Sequence, residues 1–267
     1  MPGPNSTNHW NPTQYLKFKD ERTRPVIDLL SHITLEEPKR IVDLGCGSGN
    51  STAELAARYP NSHLTAMDLS PDMLERARAA LPNIEFTLED LNNYTHKEGE
   101  SVDLFFSNSV FQWLSYTDRI VAIKRLMETQ SSGGLFAFQV PDNIQEPSHE
   151  AMRKTVGAGP WAGTLAGRSL VRDEFQTPRA IYDALNPLCS SINIWHTYYH
   201  HVLDGHEAIV EWLKGTGLPP FIGSLSLRER EGFLGAYLEQ LKALYPRLYD
   251  GKVLLRFLRL FVIAVRA

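Results

Sequence analysis

The chain has 267 residues and a formal net charge of −4, with 43% hydrophobic and 22% charged residues, a balance that excludes disordered and fibrous classes. Two cysteines, Cys46 and Cys189, are too few for a disulfide framework or a zinc site, and no long basic run invites nucleic acid. No stretch approaches the roughly 18 unbroken apolar residues of a membrane span, and the Pro-rich start "MPGPNSTNHWNP" lacks the apolar centre of a signal peptide, so a cytoplasmic monomer is the expectation.

In chain order, residues 1–39 read as a helical segment carrying Trp10, Tyr15, Arg22 and Arg24. It either packs on the body through Tyr15, Phe18 and Leu29 or folds over a ligand as a lid. From Arg40, short apolar runs alternate with amphipathic stretches, the pattern of a parallel sheet covered by helices. "RIVDL" is a first strand, 51–59 a helix and "HLTAMD" a second strand. "SPDMLERARAAL" opens with Ser70 as a cap and Pro71 at the first helical position. "IEFTLED" and "VDLFFSN" are strands three and four; a helix follows between Asp118 and Thr129, ended by the glycines at 133 and 134, and "LFAFQV" is strand five.

Beyond Pro141 the alternation breaks. Residues 142–176 and 204–250 read as helical insertions that shape a second pocket, while 40–141 form the ligand-binding half of a single domain. "INIWHTYYH" is a sixth strand and "RFLRLFVIAV" the last. Capping boxes at Asp204/Glu207 and Ser226/Glu229 open two helices of the second insertion.

Chemistry gathers at "IVDLGCGSGNST", residues 41–52. Glycines this dense after a strand let backbone N–H groups meet a ligand closely. The spacing is Gly-x-Gly-x-Gly, one residue shorter than the dinucleotide fingerprint. Asp68, ending strand two, suits a pair of ribose hydroxyls, and Asp90 ends strand three.

With Asp43 at the end of strand one, these residues resemble the motifs of class I S-adenosylmethionine-dependent methyltransferases. The resemblance implies a Rossmann-like α/β fold with a seven-stranded, mostly parallel sheet, helices on both faces and insertions forming a substrate lid. It further implies cofactor contacts from Asp43, Gly45, Gly47, Gly49, Asp68, Leu69, Asn108 and Arg24, with Asp90 on the adenine amino group and Leu91 against the ring. "SNSVFQWL", "FQVPDNIQEPSHEAMRK" and "TYYHHVLDGHEAIVEWLKGTGL" are similar to a branch of that family acting on a carboxylate of a small unsaturated polyacid such as trans-aconitate. Where that branch reads "GTGLRP" this chain has "GTGLPP", with Pro219, and where it reads "FPRLF" this chain has Leu258 before a retained Arg259.

A carboxylate is ionised at neutral pH, so methyl transfer to it needs no base, nucleophilic side chain or metal. Acceptor contacts are then donors: Trp10, Tyr15, Arg22, Trp113, His149, Arg153, Tyr198, Tyr199 and Arg259, with His149, Tyr199 and His200 positioning the acceptor. Two other readings stay open. One is transfer to a hydroxyl or nitrogen of a secondary metabolite, with His149 or His200 as base; the other is an inactive cofactor-binding regulator.

Overall fold

The computed structural model describes residues 19–96 and 101–267; Trp10, Tyr15 and Phe18 lie outside them. The chain divides into two compact units. The larger holds residues 22–142, 173–197 and 259–267, and the smaller, among the described residues, 19–21, 143–172 and 198–258.

The strands are β1 (Arg40–Leu44), β2 (His63–Asp68), β3 (Glu85–Leu88), β4 (Leu104–Asn108), β5 (Leu135–Pro141), β6 (Cys189–Leu203) and β7 (Val253–Arg266), joined in one seven-stranded sheet of order β3-β2-β1-β4-β5-β7-β6. The first five pair in parallel, Ile41 lying beside Leu64 on one side and Leu104 on the other. β7 runs antiparallel to β5, which puts Arg259 beside Pro141 at the carboxyl end of β5. Chain order reverses between β1 and β4, and ligands of such sheets bind outside the strand carboxyl ends at that switch point.

The helices of the larger unit follow local rules. They are α1 (Lys19–Ser31), α2 (Asn50–Arg58), α3 (Pro71–Ala80), α4 (Tyr116–Glu128) and, beyond the first insertion, Pro178–Leu185. Ser70 Oγ accepts from Met73 N, with Pro71 at the first helical position, as expected. α4 ends where its apolar repeat does, with Thr129 as its cap, and Gly133, at φ +87, makes the turn into β5 rather than capping the helix. Phe105, Phe111, Phe136 and Phe138 form a fully buried aromatic cluster with ring centroids 5.5–6.2 Å apart. Burying each ring stabilises the fold by roughly 1.5–3 kcal/mol, and the cluster holds β4 and β5 rigid beneath the residues they present.

In the smaller unit, α5 (Pro147–Val156) and α6 (Ala162–Leu165) are followed, after β6, by α8 (His206–Lys214), α9 (Pro219–Ile222) and α10 (Leu227–Leu244), the helix at 178–185 being α7. α5 buries Ser148, Ala151, Met152 and Thr155, and α10 buries Phe233, Tyr237 and Leu241, each set one helical stripe. Polar bonds tie the pair: Tyr237 Oη donates to Ser148 O at 3.0 Å, and Gln240 Nε2 to Thr155 Oγ1 at 2.7 Å. The Ser226/Glu229 box is present at the start of α10. The Asp204/Glu207 box is not, because Gly205 occupies the cap position without a side-chain bond; Asp204, one residue too early, lies 3.6 Å from Lys252 Nζ.

Candidate active site

At the end of β1 the chain enters a turn built on Gly45, Gly47 and Gly49, with φ of 75, 55 and 90°, values that residues with a Cβ adopt only at a cost. Gly45 N and Cys46 N both donate to Met67 O, at 2.8 and 2.9 Å, locking the turn to β2. Asp68 then completes it: one carboxylate oxygen accepts from Gly47 N at 2.8 Å and the other from Ser70 N at 2.9 Å. A Cβ on Gly47 would meet no atom within 4 Å. The backbone here is therefore open to close approach, with a carboxylate alongside that keeps spare lone pairs. A nucleoside-linked ligand fits such a cradle.

Asp43 serves the same turn from beneath. It is fully buried, and one of its oxygens accepts from Ser51 Oγ and Thr52 Oγ1, both at 2.7 Å, in the first turn of α2. Burial lifts its carboxyl from 3.8 to about 6 against the opposing pull of those two hydroxyls. Between these values the folded protein binds more protons than the unfolded chain. This group's contribution is therefore fully present below about pH 4 and lost as pH rises through 6, a loss of about 3 kcal/mol. Asp43→Asn should remove that loss, so its melting temperature should gain on the wild type between pH 4 and 7. Parallel melting curves across that range would show Asp43 to be silent.

The other strand ends complete the geometry of the larger unit. Asp90 Oδ1 accepts from Asn92 N and Nδ2, at 2.9 and 3.0 Å. The loop so formed turns Leu91 inward: it is 5% exposed and belongs to the core cluster with Met67 and Leu126, while Arg125 grips its carbonyl at 2.9 Å. Leu69, after β2, and Leu88, on β3 beside Asp68, are both exposed. At the end of β4, Asn108 Oδ1 accepts from Gln139 Nε2, and Ser109 takes a positive φ of 61°, rare for a residue with a Cβ. Ser109 Oγ accepts from Gln139 Nε2 at 2.7 Å and from Arg259 Nη1 at 3.1 Å, and Arg259 also donates to Gln139 Oε1 at 3.0 Å. Arg259, only 5% exposed, thus braces the strained end of β4, a use its sequence position does not reveal. Trp113 is 64% exposed, so it fills no core. Arg22 is partly buried in α1, and Arg24 is exposed, 3.9 Å from Asp28.

Within the smaller unit, His149 and Arg153 share one face of α5 four residues apart. Burial, then the charges of Arg172 and Arg153, push the His149 imidazole down to about 3, so it is neutral at any physiological pH. Arg153 is aimed by Ile144 O, at 2.5 Å from Nη1, and Arg172 by Asn143 Oδ1, at 3.0 Å from Nη2. Arg172 had no sequence signal; it stands in the insertion, outside any motif. The pair of tyrosines splits by strand alternation. Tyr198 is half exposed, under the Arg256 guanidinium at 5.2 Å, and His200 is exposed on the same face. Tyr199 is 1% exposed, parallel to His201, which in turn packs on Trp212. Tyr199 therefore belongs to the core, because the residue between two surface positions of a strand must point the other way.

This sheet order, glycine turn and paired carboxylate define an S-adenosylmethionine-dependent methyltransferase of class I. A family described as "Methyltransferase domain" matches residues 41–134. The fold is similar to that of a Haemonchus contortus phosphoethanolamine N-methyltransferase 2 solved in complex with S-adenosyl-L-methionine, with a TM-score of 0.53 and 15% identity over 91% of this chain and 52% of that one. Two relatives, both "Trans-aconitate 2-methyltransferase", are 49% identical (Rhodopseudomonas palustris strain BisB18) and 45% identical (Agrobacterium fabrum), each over 96% of this chain and 99% of its own length. The chain belongs to the trans-aconitate 2-methyltransferase family, and S-adenosylmethionine is its cofactor.

Proposed function

We propose that this methyltransferase forms a monomethyl ester of a small polycarboxylate, with trans-aconitate, the acid in its relatives' name, as the leading acceptor. The observation that carries this reading is the set His149, Arg153 and Arg172 in the smaller unit: Arg153 stands one helical turn from His149, both guanidiniums are held by carbonyl oxygens of the 143–144 segment, and their charges reach an imidazole that burial holds neutral, at about 3. Guanidinium forks match carboxylates in two parallel hydrogen bonds. An imidazole that protonates only near pH 3 is a poor base for a hydroxyl or amine, whose catalysis asks for a pKa near the working pH. A carboxylate arrives already ionised and needs only to be held.

When bound, S-adenosylmethionine supplies an electrophilic methyl carbon on a positively charged sulfur that leaves as a neutral thioether. The chain's part is to orient and to exclude water. Holding an oxygen in line at close range is worth up to roughly 7–11 kcal/mol in favourable cases. Gly45, Gly47, Gly49, Asp68, Leu69, Asp90 and Asn108 would hold the cofactor; the arginine cluster would fix the acceptor's carboxylates and select which oxygen presents. The reading extends to a cytoplasmic monomer that takes a free small acid and no nucleic acid, in keeping with a net charge of −4.

Incubation with methyl-labelled cofactor and a panel of trans-aconitate, cis-aconitate, citrate and a metabolite extract tests the acceptor. Base-labile label on an aconitate is expected. Base-stable label appearing only with the extract would overturn the carboxylate assignment, and cofactor binding without any product would make the chain a binding protein. Asp68→Ala should weaken cofactor binding at least tenfold by calorimetry, through loss of both the ribose acceptor and the Gly47 bond; unchanged affinity would take Asp68 out of the site.

A further inference from the structure

Four side chains of the larger unit form a network in which each orientation forces the next. Arg259, on β7, carries a guanidinium and can only donate. Its Nη1 meets the amide of the fully buried Gln139 at 3.0 Å, so the amide atom there is Oε1 and Nε2 faces the other way. Nε2 then donates to Asn108 Oδ1 and, at 2.7 Å, to Ser109 Oγ. Ser109 Oγ accepts from Arg259 Nη1 as well, at 3.1 Å.

Each step occupies acceptors and leaves donors. Both lone pairs of the Ser109 hydroxyl are taken, so only its proton remains. Asn108 has its oxygen turned inward, so only its two Nδ2 protons remain. Among the described residues no group accepts from either. Both side chains are half-buried at the carboxyl end of β4, next to β1, where the sheet order reverses. The backbone is held as firmly: Ser109 N donates to Gln139 O at 2.9 Å, and Gln112 Nε2 to Ser109 O at 2.6 Å. These bonds keep Ser109 at φ 61°, the one positive φ outside glycine among the described residues, and strain held in this way clusters at ligand clamps.

We infer that Asn108 Nδ2 and the Ser109 hydroxyl form a donor pair for a carboxylate, and that Arg259 and Gln139 are positioning residues that set its polarity. A carboxylate only accepts, so it suits a face from which only donors project; an ammonium does not. Two carboxylates have the right chemistry, that of the cofactor's methionine part and one of the acceptor's. For the acceptor's alone, the proposal rests on the carboxyl-methylating reading.

Calorimetry with S-adenosylhomocysteine, with its decarboxylated analogue, and with trans-aconitate added to the S-adenosylhomocysteine complex tests it. Asn108→Asp keeps the oxygen that Gln139 needs and turns the outward donor into a carboxylate oxygen. If the cofactor's carboxylate sits there, S-adenosylhomocysteine should weaken at least tenfold while the decarboxylated analogue is unchanged. If the acceptor's does, trans-aconitate should weaken at least tenfold while both nucleosides are unchanged. Gln139→Glu keeps the Arg259 contact but cannot donate, so Asn108 must turn Nδ2 inward and its oxygen outward. The same ligand should then weaken several-fold, a selectivity that a merely structural residue would not show. Ser109→Ala removes one donor without adding charge and should weaken that ligand by a smaller factor, which keeps the site testable if a charged variant fails to fold.

No loss for either ligand in Asn108→Asp, or an equal loss for S-adenosylhomocysteine and its decarboxylated analogue, overturns the carboxylate site. Unaltered affinity in Gln139→Glu overturns the positioning role of Arg259 and Gln139. If the wild type methylates trans-aconitate in those cases, the carboxyl-methylating reading stands without this site. A selective loss for S-adenosylhomocysteine with no acid methylated supports the site and overturns that reading instead.

Discussion

Arg119→Met is expected to cost at least 3 to 5 kcal/mol of stability, about what breaking a buried charged network costs, and to lower the melting temperature by about 10 °C or more. Arg119 is fully buried on α4. Its Nε donates to the carbonyls of Phe111 and Leu114, both at 3.1 Å, Nη1 to Glu174 O at 2.5 Å, and Nη2 to Gln112 O and Asp173 O at 3.3 and 3.0 Å. The guanidinium also lies 4.8 Å from the centre of the Phe175 ring. One side chain thus ties the turn after β4 to the segment that leads into α7. Methionine fills a similar volume but takes the donor from the carbonyls of Leu114, Gln112, Asp173 and Glu174, each a desolvation penalty of about 1–3 kcal/mol that the site can only partly relieve, while Phe111 O keeps Leu114 N at 3.2 Å. Arg119→Lys should recover little, since an ammonium has three donors and no planar fork. Chemical denaturation reads the difference; a loss under about 1 kcal/mol in Arg119→Met would show that water replaces the guanidinium.

Gly45→Ala should damage both stability and cofactor binding. Its φ is +75°, and a Cβ there would sit 2.4 and 2.6 Å from the two methyls of Val110 and 3.0 Å from its Cβ. The left-handed backbone costs about 1–2 kcal/mol with a Cβ and the overlap about 1–3 more. Because Val110 is β-branched and stiff, the turn itself must shift, drawing Gly47 N from Asp68. We expect cofactor affinity to fall at least tenfold along with the melting temperature. Gly45→Ala/Val110→Ala removes the two methyl overlaps and should restore part of the stability. Gly47→Ala is the contrasting case: with nothing near its Cβ, it should lose only the backbone term in stability yet block the open cradle, so cofactor binding falls more than melting temperature. Equal stability losses at Gly45 and Gly47 would mean that Val110 gives way easily.

The two variants also mark where sequence reading stops. Glycines at 45, 47 and 49 and carboxylates at 68 and 90 are legible because local geometry demands those residue types: positive φ needs glycine, and a strand end at the switch point needs a short acceptor. The alternation of apolar runs sufficed for the strands and helices of the larger unit, since parallel strands buried on both faces read as continuous apolar stretches. Arg119 looks in the sequence like a surface charge at the start of an amphipathic helix. Its five carbonyl partners come from segments up to 55 residues away, and no local pattern announces such a meeting.

Leu91 and Tyr199 show the same limit at the level of a single side chain. Each stands beside a residue whose role is readable, and which way it points depends on a turn or a strand register set by distant partners. Arg259 reads as a carboxylate clamp by its chemistry, and the antiparallel pairing of β7 with β5 places it on Ser109 and Gln139 instead. The sequence by itself determined the fold class, because alternating apolar runs and a glycine turn after a strand are local backbone requirements, and its resemblance to known motifs along the chain carried the methyl donor and the family. The tertiary structure alone decided which donors gather around His149 and that its imidazole stays neutral, because burial and the fields of Arg153 and Arg172 are sums over residues that only folding brings together.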